Sequence, residues 1–142
     1  MAFVIQSGPS DALGEGGGGL GYEGIRKSVE VEFDLFVNGE HDDPSDNHVA
    51  VMKNGKPGRH LDASSPLFDL YGGTRFAWIR YSARKERLKV YVNDSDEKPA
   101  QPAARVALRL DRVLDGRARA GFTASTGGSF ETADLLAWTL DQ

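Results

Sequence analysis

Glu32 and Asp34 stand two residues apart in the alternating run SVEVEFDLF (28–36), so in an extended chain both carboxylates leave the same face. Asn38, Asp43 and His48 follow, and Pro44 stiffens the return of the segment between them. Donors this dense do the chemistry of cation binding. An imidazole beside carboxylates suits ions of the Mn²⁺ or Zn²⁺ type, whereas carboxylate, amide and carbonyl oxygens alone suit Ca²⁺. The stretch 32–48 offers both sets, with Asp34 and Asp43 able to bridge two ions. A solvated acidic loop is the plainer reading of an Asp-rich segment. Carboxylates in phase on a strand, with a His downstream, shift the balance toward metal.

Other chemistries fit less well. An EF-hand read from Asp34 has Asn38 and Gly39 in place, but puts Phe36 at the third ligand position and Ser45 at the final Glu, with no flanking helices. A retaining glycoside hydrolase with Glu-x-Asp-x-x-Glu on a strand would use Glu32 and Asp34, but the last position falls on Val37, and Glu30 lies upstream. Gly14, Gly16 and Gly19 match the dinucleotide fingerprint literally. Gly21 and Gly24 then interrupt the required helix start, and no βαβ pattern surrounds it. No nucleophile-elbow context accompanies any Ser. Asn93-Asp94-Ser95 is a formal glycosylation acceptor but reads more simply as a turn. His41 and His60 read as surface residues, and Trp78 and Trp138 as core.

The elements that must position these groups are strands. Period-two runs occur at 2–6, 28–36, 48–52, 76–81, 88–92, 105–110, 117–124 and 135–140, separated by KNGKPG, YGGT, NDSDEKP, DRVLDG and STGGSF. FAWIRY and LKVYV flank SARKER as a hairpin, and no stretch of ten residues carries a convincing helical period. Short strands with Gly- and Pro-rich turns argue for an all-β sandwich. The chain has 142 residues, 39% hydrophobic and 27% charged, which suits one folded domain. A net charge of -4 argues against nucleic acid, and the apolar runs are too short to insert in a membrane as helices. There is no cysteine and hence no disulfide framework. Of the 17 glycines, six lie between Gly14 and Gly21, so one loop must take unusual backbone angles.

VEFD, the aromatic at 36, Asn38, Asp43-Pro44 and His48 together resemble the metal motif of the L-type (legume-type) lectins, bacterial members in particular. AFVIQSGPSDALGEGGGGLGYEGI is similar to that family's preceding strand and glycine loop. AGFTASTGGSFETADLLAWTL is similar to its closing segment, with an ASTG loop and a final-strand Trp, here Trp138. The resemblance implies a concanavalin-like jelly-roll β-sandwich that binds carbohydrate without catalysis. It implies a transition-metal site, usually Mn²⁺, at Glu32, Asp34, Asp43 and His48. It also implies a Ca²⁺ site at Asp34, the Phe36 carbonyl, Asn38 and Asp43, with waters completing both shells. Asn38 would donate its amide to a sugar hydroxyl, Phe36 would offer an apolar ring face, and a backbone N–H near Gly17 or Gly18 would add a second hydrogen bond. The 126–130 loop, with Gly128 and Ser129, would form another wall.

The chain departs from that family in several places. Glu30 stands where an apolar or small residue is usual, and Gly128 lacks a large side chain. Residues 1–142 correspond to the C-terminal part of a single lectin domain, and an upstream Asp that accepts sugar hydrogen bonds in the family has no counterpart. The expectation is an N-terminally truncated domain whose open sheet edges offer a route to homo-oligomers. The expected partners are glycans or glycoproteins, and the expected location is extracellular or secreted, although no signal is visible. Two alternatives stand beside this reading. One is a degenerate metal-binding module without sugar binding; the other is a glycoside hydrolase of the same sandwich fold.

Overall fold

Alternating valines build the main core. The computed structural model describes residues 1–141. Its strands are β1 (Ala2–Gln6), β2 (Ser28–Asp34), β3 (His48–Lys53), β4 (Asp62–Ser64), β5 (Phe76–Ser82), β6 (Arg87–Asn93), β7 (Ala104–Ala107) and β8 (Arg119–Thr123). One sheet has five strands in the order β4-β3-β2-β1-β8, the other three in the order β5-β6-β7, and every pairing is antiparallel. Val29, Val31, Val49 and Val51 from the first sheet meet Leu88, Val90, Val92 and Val106 from the second in one buried cluster. β-Branched side chains suit the pleated surface, and each such burial contributes roughly 1.5–3 kcal/mol. The architecture is an all-β sandwich, as the alternation predicts.

The opposite face of the larger sheet is buried too. Residues 8–27 fold across it, bringing Leu20, Tyr22 and Ile25 onto Ala2, Val4, Ala50 and Met52. Ser28, Glu30, Glu32 and Asp34 of β2 point into this second layer and are all buried. The loop holds its shape through backbone bonds to itself, among them Gly14 N–H to Gly21 O at 2.8 Å and Glu15 N–H to Glu23 O at 3.0 Å.

Glu30 shows what this layer does to a carboxylate. Its Oε1 accepts from the Ser28 hydroxyl and from the Gly55 N–H, while its Oε2 has no partner. Burial pushes its pKa up from 4.5 to about 7. The native state then holds the proton more tightly than the unfolded chain. Glu30 therefore contributes stability that is present at acid pH and lost as pH rises from 4.5 through about 7. Glu30→Gln removes that loss. The stability of the variant relative to wild type, followed by denaturant midpoint, should rise by on the order of 3 kcal/mol across the window. A difference that stays flat with pH would mean that Glu30 ionises normally.

Four expectations are corrected. The alternating segment 135–140 forms no strand, and Leu135, Leu136, Trp138 and Leu140 are exposed. Alternation qualifies a segment for pairing, but no edge lies beside this one among the described residues. Trp138 instead touches Phe122 edge-on, and Trp78 stacks on Phe76 half-buried, so neither tryptophan is core. The run 105–110 pairs only through Ala107, and Leu110–Val113 turns into a single-turn helix, α1, where a loop is predicted. β4, three residues long, carries no apolar alternation and is missed by it.

Candidate metal centre and adjoining cleft

β2 ends at Asp34 because its side chain redirects the backbone. Asp34 Oδ1 accepts from the Phe36 N–H at 3.0 Å, and Asp43 Oδ2 accepts from the Asn38 N–H at 2.7 Å. These two carboxylates fold 35–43 back toward β3, whose first residue, His48, sits opposite Asp34 in the sheet. One ligand atom each from Glu32, Asp43, His48 and His60 then lies within 4.8 Å of all the others. His48 Nε2 is 3.2 Å from Glu32 Oε1 and 3.6 Å from Asp43 Oδ1, while His60 Nε2 is 3.7 Å and 3.4 Å from the same oxygens.

The groups around this cluster orient it. His48 Nδ1 meets the Ser45 carbonyl at 2.8 Å; that carbonyl can only accept, so Nδ1 carries a proton and Nε2 is the nitrogen turned to Glu32 Oε1, a donor when the ring is charged and a ligand atom when it is neutral. Tyr22, from the loop over the sheet, donates its hydroxyl to Glu32 Oε2 at 2.9 Å. Burial, and then the neighbouring Glu32 charge, push the Tyr22 phenol up, so it stays a donor. Burial followed by Glu32 also raises Asp34. Burial pulls His48 down, but Glu32, Asp43 and Asp34 outweigh it and the net shift is upward. The Glu32 charge thus raises the proton affinity of Asp34 where water is excluded, and a cation would relieve this. The donor chemistry fits a divalent ion.

The same loop borders a cleft of about 470 Å³. Gly17, Gly18, Phe36, Asn38, Gly128 and Ser129, the six residues expected to face a sugar, all line it. Asn38 packs so closely on the glycine loop that a Cβ at Gly18 would stand 2.7 Å from its Nδ2. Asn38 Oδ1 is buried with no hydrogen-bond partner, as suits an oxygen held for a cation. Asp34, Asp46, Asp69 and Glu131 give the cleft an acidic lining, and Phe36, Tyr71 and Phe130 offer exposed rings.

The structure thus gathers Glu32, Asp43 and His48 into one group and sets Asp34, Phe36 and Asn38 beside it. It corrects His60, read from sequence as a surface residue: its side chain is only 12% exposed and its Nε2 faces the carboxylates. A signal existed in the GKPG turn before it, which must close near β3, but the turn's direction is set by tertiary contact. Asn47 was also missed. Its Nδ2 donates to Phe68 O at 2.9 Å and its Oδ1 accepts from Leu70 N–H at 2.8 Å, holding the Asp69–Tyr71 wall of the cleft. Arg75 completes that wall by donating to the carbonyls of Asp69 and Tyr71.

Comparison with known proteins identifies the family and the fold. The family model described as legume lectin domain matches residues 1–142. The L-type lectin-domain containing receptor kinase VIII.2 of Arabidopsis thaliana is 35% identical over 145 residues, covering 98% of this chain and 20% of that protein. The L-type lectin-domain containing receptor kinase SIT1 of Oryza sativa subsp. japonica is 31% identical, over 78% of this chain and 18% of its own length. The chain therefore spans about a fifth of the length of the curated relatives it matches. Among solved structures, peanut lectin superposes with a TM-score of 0.69 at 26% identity, covering 87% of this chain and 53% of that one. Basic winged bean lectin with Tn-antigen gives 0.71 at 26% identity, with 89% and 52% covered. With its family model matched along the whole chain and its sandwich shared with solved lectins, this protein belongs to the legume lectin domain family.

Proposed function

We propose that the chain is a non-catalytic carbohydrate-binding module, corresponding to the C-terminal part of a lectin domain, which holds sugar in the cleft beside the Asp43 loop. The single observation that carries this reading is the meeting of two features at Asp43. Its Oδ1 belongs to the donor cluster, and its Oδ2 fixes the backbone of Asn38 at the cleft wall. Glu32, Asp34, Asp43 and His48 would hold an Mn²⁺-like ion, and Asp34, the Phe36 carbonyl, Asn38 and Asp43 a Ca²⁺ ion. Bound cations would supply charge that locks these oxygens in place. Asn38 Nδ2 then remains as a donor to a sugar hydroxyl, with Gly17 or Gly18 adding a backbone N–H. Phe36 covers an apolar sugar face, and Gly128 and Ser129 close the far side.

The acidic lining selects the class of glycan. Sugar hydroxyls can donate to Asp46, Asp69 and Glu131, whereas sialylated or sulfated glycans would meet like charge. Neutral glycans and glycoproteins are the proposed partners, met outside the cytoplasm where glycans and free calcium are available. Among the described residues, the outer edges of β5 and β8 have no partner strand, and they would give copies of the chain a surface on which to pair.

A glycan array with chelator-stripped and Ca²⁺/Mn²⁺-supplied protein tests this proposal, alongside Asn38→Ala. Binding to neutral glycans should require the ions. Loss of one buried hydrogen bond should weaken it by roughly 10- to 100-fold in Asn38→Ala. Retention that ignores both the chelator and the substitution would overturn the site. Intact ion binding with no glycan retained would instead favour a metal-stabilised module without sugar binding.

A further inference from the structure

We propose that His60 is a direct metal ligand, so that the centre presents two imidazoles and two carboxylates and prefers a late transition ion of the Zn²⁺ class over Mn²⁺. This rests on the metal reading above and departs from its one-histidine set. Among the described residues, His60 belongs to the tight donor group and Asp34 does not.

The geometry of His60 is built rather than incidental. Its Nε2 is buried and lacks a hydrogen-bond partner although Asp43 Oδ1 and Glu32 Oε1 stand 3.4 Å and 3.7 Å away. A solvated surface imidazole would leave that nitrogen to water. Here it converges on the same two oxygens as His48 Nε2, and the rings lie 6.1 Å apart and tilted by 53°, an arrangement in which both nitrogens face one point. The backbone on either side is tied down. Leu61 N–H donates to Val51 O at 2.8 Å, joining the next residue to β3. Gly58 has φ +70 and lies so close to the 39–41 turn that a Cβ there would come within 2.6 Å of the His41 Cα. That close approach brings the 54–61 turn up against the ligand loop.

The chemistry follows from ligand type. In a site of carboxylates, one imidazole and water, a hard ion such as Mn²⁺ keeps the oxygen-rich shell it favours. A second imidazole in place of water enriches nitrogen and closes part of the shell with protein. Both changes favour ions further along the series, Zn²⁺ among them, whose sites characteristically combine His and carboxylate.

The first test uses the unaltered chain with ¹⁵N-labelled histidine, stripped by chelator and titrated with Zn²⁺. Nε2 resonances of both His48 and His60 should shift together at one equivalent, with His41, outside the donor group, as the internal reference. A shift of His48 alone overturns the inference while leaving the metal centre standing, and no shift at either overturns both. The second test is competition between Zn²⁺ and Mn²⁺. Wild type should prefer Zn²⁺, and His60→Ser should lose about 10- to 100-fold in Zn²⁺ affinity with a smaller change for Mn²⁺. Equal losses for both ions, or unchanged Zn²⁺ affinity, would show that His60 does not select the ion.

Discussion

Asp43→Ala is expected to abolish the metal-dependent part of this protein's stability. With a divalent ion at about 100 times its dissociation constant, wild type should gain roughly 2.7 kcal/mol over the chelator-stripped form. The variant should gain almost nothing, because Asp43 serves both sides of the site. Its side chain is only 3% exposed and its Oδ1 lies within 3.6 Å of both imidazole Nε2 atoms, while its Oδ2 holds the Asn38 N–H. The substitution also leaves that N–H without its partner, which costs about 1–3 kcal/mol even in the stripped protein. Thermal melts of both proteins with and without Ca²⁺ plus Mn²⁺ make the comparison. Exposed Glu40, in the same loop, is the control, and Glu40→Gln should keep the full shift. A normal metal shift in Asp43→Ala would remove Asp43 from the centre.

Gly55→Ala should destabilise the fold well beyond the conformational cost of a methyl at a left-handed glycine. Gly55 has φ +61, and an added Cβ would stand 2.5 Å from Ile25 N and 2.7 Å from Gly24 N and Ile25 O. The contacts are with backbone, which cannot rotate away. Gly55 also donates its N–H to Glu30 and accepts from the Gly24 N–H at 2.9 Å, so it joins the β3–β4 turn to the loop that carries Tyr22. The left-handed backbone costs a side chain roughly 1–2 kcal/mol, and the overlap adds roughly 1–3 kcal/mol. Gly116 separates the two contributions. Its φ is +62 with open space around the built Cβ, so Gly116→Ala carries only the conformational cost. Thermal midpoints should fall by about 10 °C for Gly55→Ala and by about 4 °C for Gly116→Ala. Similar shifts in both would show that the turn and the loop are not in contact.

Seven of the eight strands were legible because alternation writes burial directly into residue order, as in Val29, Val31, Val49 and Val51. β4 was not. Asp62–Ser64 forms because its side chains tie it across to the second sheet, with Asp62 Oδ2 accepting from Arg105 N–H at 2.7 Å and Ser64 Oγ donating to Ala103 O at 2.8 Å. The turn at α1 is similar. Leu110 and Val113, three apart, dock on the main core, and Arg109 pairs with Asp111 at 2.8 Å. The segment 135–140 errs the other way, because alternation reports a face and not a neighbouring edge. In the site, Glu32, Asp43 and His48 could be read from local spacing, whereas His60 and Tyr22 reach it through loops whose closure depends on Gly58 and Gly14 approaching other backbone. Local order shows which donors exist. Only the folded chain shows which of them converge.

The order of strands in the larger sheet bears on how the protein comes together. β1 lies between β2 and β8, with Ala2 opposite both Glu32 and Thr123, so the sheet cannot close until distant parts of the chain meet. Such non-local pairing is slow. The donor cluster, by contrast, falls wholly between residues 32 and 60, on the β2-β3-β4 meander whose strands are joined by near neighbours in sequence. An ion can therefore grip this meander before the sandwich exists. A cation held there does more than add to the equilibrium stability of the finished protein. If that meander is structured in the folding transition state, the ion is expected to speed refolding as well as slow unfolding, and stopped-flow refolding with and without it checks this.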